Sequence, residues 1–420
     1  MNDFQLDFTE TSTETWKAQI LKELKDDAVK IEFTDKIEEI SLDITKASEK
    51  DFNSEVINES NNWNVSAFIE VNDEKSANKL ALKNLNQGYN ELIFNLKPIE
   101  IDWVLLLNDI EVEYIHTRLQ FTNTTQLSSF LSSSYVAKIQ YFSFETDPLS
   151  SVFATLENEI KSLTSNRVVS INGFDFQQIG ATTWQEIGVI LSTGHELLNR
   201  GFLPNQLSLS IGIGSNYFLE IAKIRALRYL WGQITAAYDS KSSIEIVAHI
   251  GWSNKSLKDQ HTNLLRQTTE AMSAAAGGSD SIVVHPYDQN SKDGSSDFSY
   301  RMAANISNLL KEESYFDKVH DPLKGSHIIE NLTELIRSKA WTYFLELDAF
   351  KSLNSADKIL KIKSDISLKR TERVNLFNEK QIKLIGINLF NTTNPNPQDW
   401  KKDLSYLAIP YLIYEEIEVV

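Results

Sequence analysis

Residues 168–212, VVSINGFDFQQIGATTWQEIGVILSTGHELLNRGFLPNQLSLSIG, contain the pattern on which the fold prediction rests. A short β-branched run at 168–175 comes before a stretch with helical spacing, and a second such run begins at Leu207. Within the helical stretch, the segment from Thr183 to Glu186 fits a capping box and Gly201 fits a C-terminal stop. Strand, helix and strand in this order predict a parallel βαβ unit.

The same alternation extends over most of the chain. Eight β-branched or alternating runs are predicted to be strands: 67–71, 91–95, 114–121, 138–145, 168–175, 207–212, 244–251 and 281–285. Helical spacing recurs between them, most clearly over 217–237 and 263–276. Eight strand–helix units favour a closed barrel over an open doubly wound sheet, so the predicted fold class is α/β, a (β/α)8 TIM barrel.

The chain is predicted to have three parts: an N-terminal arm (1–60), the barrel (61–354) and a C-terminal extension (355–420). In the arm, Trp16, Ile20 and Leu24 recur at helical spacing, and this apolar stripe is a candidate contact with a partner. The extension is predicted to contain a solvated helix over 355–380, one strand over 383–390 and an apolar, acidic tail, with no further domain.

Composition excludes several functional classes. With 41 Lys and Arg against 58 Asp and Glu, the formal net charge is −17, which is unsuited to a nucleic-acid phosphate backbone. The absence of cysteine excludes a disulfide scaffold, a thiolate metal site and a cysteine nucleophile. Because no apolar run reaches 18 residues and no signal peptide is evident, we expect a cytoplasmic protein that binds neither nucleic acid nor membrane.

Motifs for common catalytic sites fail on spacing or leave alternatives open. The histidines lack zinc-ligand spacing, so no metal site is predicted. Asp259 and His261 resemble the start of the Asp-x-His-x-x-Gly cobalamin signature, but Leu264 occupies the Gly position. Asp175 and Asp288 follow predicted strands, where barrel chemistry gathers, and could form a catalytic carboxylate pair. Aspartate at a strand end also commonly caps the next helix.

Five motifs resemble the methylmalonyl-CoA mutase family. They are SINGFDFQQIGAT (170–182), NYFLEIAKIRALRYLW (216–231), GWS (251–253), the segment 266–278 and DPLKGS (321–326). Their order and spacing are those of the family, and the resemblance runs from about Trp63 to Phe390. The sequence is therefore identified as a member of that family.

The resemblance implies a barrel that takes an acyl-CoA ester along its axis. In the family's catalytic chain, a C-terminal domain holds adenosylcobalamin over the barrel mouth, and methylmalonyl-CoA and succinyl-CoA are interconverted by a radical rearrangement. No such domain is expected after this barrel, and the sequence has Phe174 and Asp175 where the catalytic chain has Tyr and His. It also has Asp280 where a substrate-contacting Gln is expected. Aspartate ionised at pH 7 cannot donate a hydrogen bond to a thioester carbonyl.

The resemblance therefore implies the non-catalytic small subunit of a heterodimeric adenosylcobalamin-dependent methylmalonyl-CoA mutase. No catalytic residue and no cofactor are expected on this chain, and adenosylcobalamin is expected on the large-subunit partner. A vestigial substrate pocket is expected at Ser170, Phe174, Asp175, Gln177 and Asp280. A buried structural ion-pair network is expected from Asn216, Glu220, Arg225 and Arg228.

Two alternatives stay open on the sequence. The chain could be the barrel half of a split acyl-CoA mutase that works with a separate cobalamin-binding subunit. It could also be an unrelated carboxylate-dependent barrel enzyme, which would use Asp175 and Asp288.

Overall fold

The structure is a computed structural model. It describes residues 11–24, 32–43, 61–145, 151–163, 167–238, 240, 243–256, 260–289, 294–350, 352 and 355–390. Asp259, the aspartate of the motif that resembles the cobalamin signature, and the tail beyond residue 390 lie outside these residues. Among the described helices, none combines the length and apolar character needed to cross a bilayer.

The N-terminal part begins with helix α1 (Thr13–Leu24), which confirms the predicted helical stretch and buries none of its residues. It is followed by an antiparallel hairpin of β1 (Glu32–Asp35) and β2 (Ile40–Asp43), which the sequence did not predict. Ile40 and Leu42 of the hairpin are buried in the main core of the barrel domain. The arm is therefore part of the folded body at the hairpin.

Eight parallel strands form the barrel, as predicted. They are β3 (Asn64–Val71), β4 (Glu91–Leu96), β5 (His116–Gln120), β6 (Phe142–Glu145), β7 (Val169–Asn172), β8 (Leu207–Ile213), β9 (Glu245–Ile250) and β10 (Ser281–Val284). The hydrogen-bonded order is β6-β5-β4-β3-β10-β9-β8-β7. The two end strands meet where the Phe144 amide donates to the Arg167 carbonyl at 2.9 Å, so the sheet is nearly closed.

Helices cover the outside of the sheet, except that α6 and α12 lie at its C-terminal end. They are α2 (Glu74–Leu85), α3 (Trp103–Leu106), α4 (Thr124–Leu131), α5 (Ser151–Ser162), α6 (Phe174–Gln178), α7 (Thr183–Asn199), α8 (Tyr217–Ala236), α9 (Gln260–Gly277), α10 (Asp297–Glu312), α11 (His327–Asp348) and α12 (Ala356–Asn378). α11 packs along α7 and α8 as an additional outer layer. Close packing requires glycine at one contact, because a Cβ on Gly194 would lie 2.3 Å from the Trp231 ring.

Three local predictions were wrong in their boundaries. The strand predicted over 138–145 begins only at Phe142, because the preceding residues form 3-10 turns. The strand predicted over 168–175 ends at Asn172, since Phe174 and Asp175 already belong to α6. The capping box of α7 uses Thr182 and Gln185, one residue earlier than predicted, and leaves Thr183 free for another contact described below.

The C-terminal extension differs more from the prediction. The helix is present as α12, but Lys358, Ile362 and Ile366 form a buried stripe, so it is a packed amphipathic helix. The strand predicted over 383–390 is wrong. These residues form turns, with a single isolated bridge between Ile385 and Leu389.

Candidate functional site

A buried ion network lies in the lower part of the barrel axis, towards the N-terminal ends of the strands. Arg118 donates from Nε to Glu91 Oε1 at 2.8 Å, and its Nη2 lies 2.7 Å from Glu245 Oε1. Both carboxylates and the guanidinium are almost completely buried. His116 Nδ1 lies 2.7 Å from Glu91 Oε1, and Arg167 Nη1 lies 2.8 Å from Glu245 Oε1. One guanidinium therefore bridges two strands across the axis.

The charges of this network hold one another in the ionised form. Burial opposes ionisation of Glu91, but Arg118 and His116 outweigh it and keep the pKa of this carboxyl below its usual range. Burial likewise opposes the charge on Arg118, and Glu245 and Glu91 outweigh it and raise its pKa. Glu91, His116 and Glu245 lie close enough to hold a cation. Arg118 already supplies the positive charge there, so a metal ion would have to displace it.

Apolar and aromatic side chains occupy the axis above the network. Ile93, Val247 and Val283 form a separate buried cluster against Phe68. This layer separates the ion network from the C-terminal mouth of the barrel. The axis is therefore packed with side chains at this level, as is usual for a small barrel.

At the mouth, rings stack over this layer. Phe174 stacks on His249 with centroids 4.7 Å apart, and His249 stacks on His285 at 5.8 Å. Trp252 lies 4.5 Å from His285 and closes the group. Burial lowers the pKa of His249 to about 3, so the imidazole is neutral at physiological pH. A neutral, stacked imidazole acts here as part of an aromatic plug.

Four of the five predicted pocket residues lie on or just below one short helix. Phe174, Asp175 and Gln177 belong to α6 at the end of β7, and Ser170 lies inside the barrel on β7 itself. Asp175 accepts a hydrogen bond from Asn172 Nδ2 at 2.7 Å. Desolvation raises the pKa of this carboxyl, and the hydrogen bond from Asn172 opposes that shift.

The fifth predicted residue, Asp280, lies at the N-terminal end of the barrel, opposite the end that holds α6. It precedes β10, and its Oδ2 accepts from Arg228 Nη2 at 2.6 Å and from the Ile246 amide at 2.7 Å. These contacts join the N-terminal ends of β9 and β10 to α8. Asp280 is therefore a structural residue and does not share a pocket with α6.

The predicted ion-pair network on α8 is confirmed for its charged members. Lys223 lies 2.9 Å from Glu186 Oε2 and 2.6 Å from Glu220 Oε2, and all three side chains are buried. Arg225 donates to Glu330 at 2.9 Å, which fixes α11 against α8. Asn216 has a different function, because it accepts from the Leu219 amide and caps α8.

Asp288 holds Ser296, the N-cap residue of α10. Its Oδ2 accepts from the Ser296 amide at 3.2 Å and from Ser296 Oγ at 2.8 Å, just before α10. The structure therefore gives this carboxylate the structural task that the sequence left open, and it offers no support for a working Asp175–Asp288 pair.

The axial residues were missed from the sequence, although a signal was present. His116 and Arg118 on β5 are two residues apart, Glu245 and His249 on β9 are four apart, and Glu91 begins β4. In a barrel wrapped by helices, charged or polar residues at such even spacing inside strands mark the positions that face the axis. Residues at strand ends alone do not reveal this inward set.

The hairpin and the C-terminal extension cover part of the mouth. Glu38, in the hairpin turn, accepts from the Thr183 amide at 3.0 Å and from Thr183 Oγ1 at 2.7 Å, at the start of α7. Burial raises the pKa of Glu38 to about 7. Over α6, a Cβ on Gly180, where φ is +99°, would lie 3.1 Å from Arg370 Cβ of α12. The two terminal segments therefore lie directly on the segment between β7 and α7.

These features define the class of protein, an α/β barrel with a filled axis and a partly covered C-terminal mouth. The family model described as methylmalonyl-CoA mutase matches residues 120–405. Because the match extends over more than half of the chain, the chain belongs to the methylmalonyl-CoA mutase family, whose members are isomerases.

Curated proteins similar to this chain include subunits of methylmalonyl-CoA mutase. The small subunit of methylmalonyl-CoA mutase from Porphyromonas gingivalis is 36% identical, with 79% of this chain and 59% of that protein covered. The small subunit from Propionibacterium freudenreichii subsp. shermanii is 28% identical, with 76% and 55% covered. The large subunit from P. gingivalis is 31% identical, with 55% and 34% covered. The chain thus spans less than two thirds of each relative.

Solved structures give only a weak likeness. Dihydropteroate synthase from Yersinia pestis is 13% identical with a TM-score of 0.39, and the likeness covers 67% of this chain and 99% of that one. No argument about function rests on it.

The described residues do not reproduce the cobalamin signature considered in the sequence. His261 lies in the first turn of α9, beside Tyr287 at 5.6 Å between ring centroids, and Leu264 is in the position of the signature glycine.

Proposed function

We propose that this chain is the non-catalytic small subunit of a heterodimeric methylmalonyl-CoA mutase that works in the cytoplasm. In this proposal, a large subunit of the same family binds adenosylcobalamin and carries out the rearrangement. The observation that carries the proposal is the filled barrel axis, because a family member that takes an acyl-CoA along its axis needs that space empty.

The axis is blocked in three successive layers. Arg118 closes the lower part between Glu91 and Glu245, and both ion pairs are buried. The apolar layer and the Phe174–His249–His285 stack close the upper part. A pantetheine arm would have to displace an ionised guanidinium from two carboxylates, and breaking a buried pair of this kind costs about 3–5 kcal/mol.

The mouth supports the same conclusion. The side chain of Phe174 has no polar atom. Asp175 directs its Oδ2 at Asn172 rather than into an open site. The split-mutase alternative requires a separate cobalamin protein to dock on this mouth. The hairpin and α12 already contact its loops, which disfavours that reading.

The N-terminal arm is the proposed partner contact. Trp16 and Leu24 are 47% and 40% exposed, and α1 buries no residue in the chain alone. A helix of 12 residues that buries none of them is marginal in water, and burial against a partner would stabilise it beyond its contact from Lys17 to Asp43 of the hairpin. A large apolar interface is typical of an obligate heterodimer.

Purification of the tagged 420-residue chain from its native cells tests the proposal. We expect a longer family member with an intact Asp-x-His-x-x-Gly domain in near-equal amount, and mutase activity only in the complex. Trp16→Ser with Leu24→Ser should reduce co-purification, whereas Leu265→Ser, on the exposed face of α9, should not. Turnover of methylmalonyl-CoA by the isolated chain with adenosylcobalamin would refute the proposal.

A further inference from the structure

A polar cavity of about 430 Å³ lies beside the barrel mouth, between the barrel loops and the two terminal segments. Gln177, Ser215 and Ser253 line it from the loops, Lys36 lines it from the hairpin, and Arg373 lines it from α12. Lys383 completes the wall from the turns after α12. The volume is near the lower end of the range for small-molecule sites.

The acids of the cavity wall are already engaged. Glu186 and Glu220 pair with Lys223, at 2.9 and 2.6 Å. Glu38 directs its oxygens at Thr183, and Asp35 Oδ1 accepts from the amides of the hairpin turn at 3.0 Å. Glu186 and Glu220 share one cation, and the charge of Arg373 acts on Glu38 without forming an ion pair with it.

The cations Lys36, Arg373 and Lys383 are not matched in this way. Among the described residues, none accepts a hydrogen bond from Arg373, and its Nε is buried without a partner. Lys36 Nζ donates to the neutral amide of Gln381 at 3.0 Å. No ion pair within the described part of the chain involves Lys383. In a chain with a net charge of −17, three cations that form no ion pair in the described part of the chain therefore line one cavity, beside four carboxylates.

We propose that this cavity binds a small organic di- or tricarboxylate. A guanidinium accepts a carboxylate in bidentate geometry, and two ammonium groups can each neutralise another carboxylate. The hydroxyls of Ser215 and Ser253 and the amide of Gln177 supply donors for the remaining oxygens. Because hairpin, barrel and α12 all contribute walls, the bound acid holds the two terminal segments against the mouth. The site is distinct from the axis and requires no partner subunit.

Isothermal titration calorimetry of the 420-residue chain tests the site, with citrate and succinate as probes at pH 7.5 and constant ionic strength. We expect saturable binding of at least one acid. Arg373→Gln should weaken it about tenfold, the loss of one charge-assisted pair, and Lys383→Gln should weaken it by a smaller factor. Lys363→Gln removes the same charge from an exposed position on α12 that does not line the cavity, and it should leave binding unchanged.

Three results would overturn the proposal. They are no binding of either acid, binding that survives Arg373→Gln unchanged, and equal heat from sodium sulfate, which would show binding of any dianion. Circular dichroism and the unfolding midpoint of each variant show whether it is folded. If Arg373→Gln is unfolded, Lys383→Gln decides the question, since Lys383 lies in an exposed turn.

Discussion

Replacement of Arg118 by leucine tests the view that the axis is closed by a buried ion network. The substitution leaves Glu91 and Glu245 buried without their shared cation, and removal of one partner from a buried pair costs about 3–5 kcal/mol. Glu91 keeps its contact with His116, and Glu245 keeps Arg167, which is 39% exposed. Because these contacts remain, we expect a loss near the lower limit, about 3 kcal/mol of unfolding free energy at pH 8.

The loss should depend on pH in a defined direction. Without Arg118, burial raises the pKa of Glu91 above its unfolded value near 4.5, so the native variant binds a proton more tightly than its unfolded chain. The variant therefore regains stability relative to the wild type as pH falls from 8 towards 5. Urea unfolding followed by circular dichroism at both pH values measures this difference.

Arg200→Leu is the matched control, since Arg200 also bridges two glutamates, Glu157 and Glu196, but is 34% exposed. It should cost less than about 1 kcal/mol. Combining Arg118→Met with Glu91→Gln and Glu245→Gln should restore most of the stability, because the two buried carboxylates that lost Arg118 are then neutral and only the part-exposed Arg167 loses a partner. Equal effects of Arg118→Leu and Arg200→Leu would refute the reasoning.

Three other predictions follow from the structure. Glu38→Gln should become more stable relative to the wild type by about 3 kcal/mol as pH rises from 4.5 to 7, because the wild-type carboxyl must ionise while buried. Thermal midpoints of both proteins at pH 5 and 8 measure this change, and the same trend in Glu39→Gln would contradict the prediction. Gly194→Ala should cost about 1–3 kcal/mol by chemical unfolding, because its Cβ would overlap Trp231, and an unchanged midpoint would show that the contact relaxes freely. Phe174→Tyr with Asp175→His should create no mutase activity in the isolated chain supplied with adenosylcobalamin, since the axis stays filled; measurable turnover would contradict that expectation.

Local pattern accounts for the parts of the fold that were predicted correctly. The β-branched runs became eight barrel strands, and the charged residues of α8 formed the expected buried network. The position of Asp280 was also readable, because a residue before a parallel strand lies at the opposite end of the barrel from a residue after one. The family resemblance placed Asp280 in the substrate pocket, although this rule places it at the other end of the barrel.

The hairpin and the extension could not be predicted in the same way. Glu32–Asp35 and Ile40–Asp43 are only four residues each, too short for a periodic signal. The attachment of Glu38 to Thr183 joins residues 145 apart in the sequence. The run 383–390 has strand composition, yet no neighbouring strand pairs with it in the described part of the chain.

The sequence by itself determined the alternation of strands and helices, the helical character of α1, α7, α8 and α12, and the family to which the chain belongs. Only the tertiary structure decided that Arg118 bridges Glu91 and Glu245 across the axis, that the Phe174–His249–His285 stack closes the mouth, and that Glu38 reaches Thr183. Periodicity is a property of neighbours along the chain, whereas these contacts depend on barrel closure and strand register, which bring distant residues to one point in space.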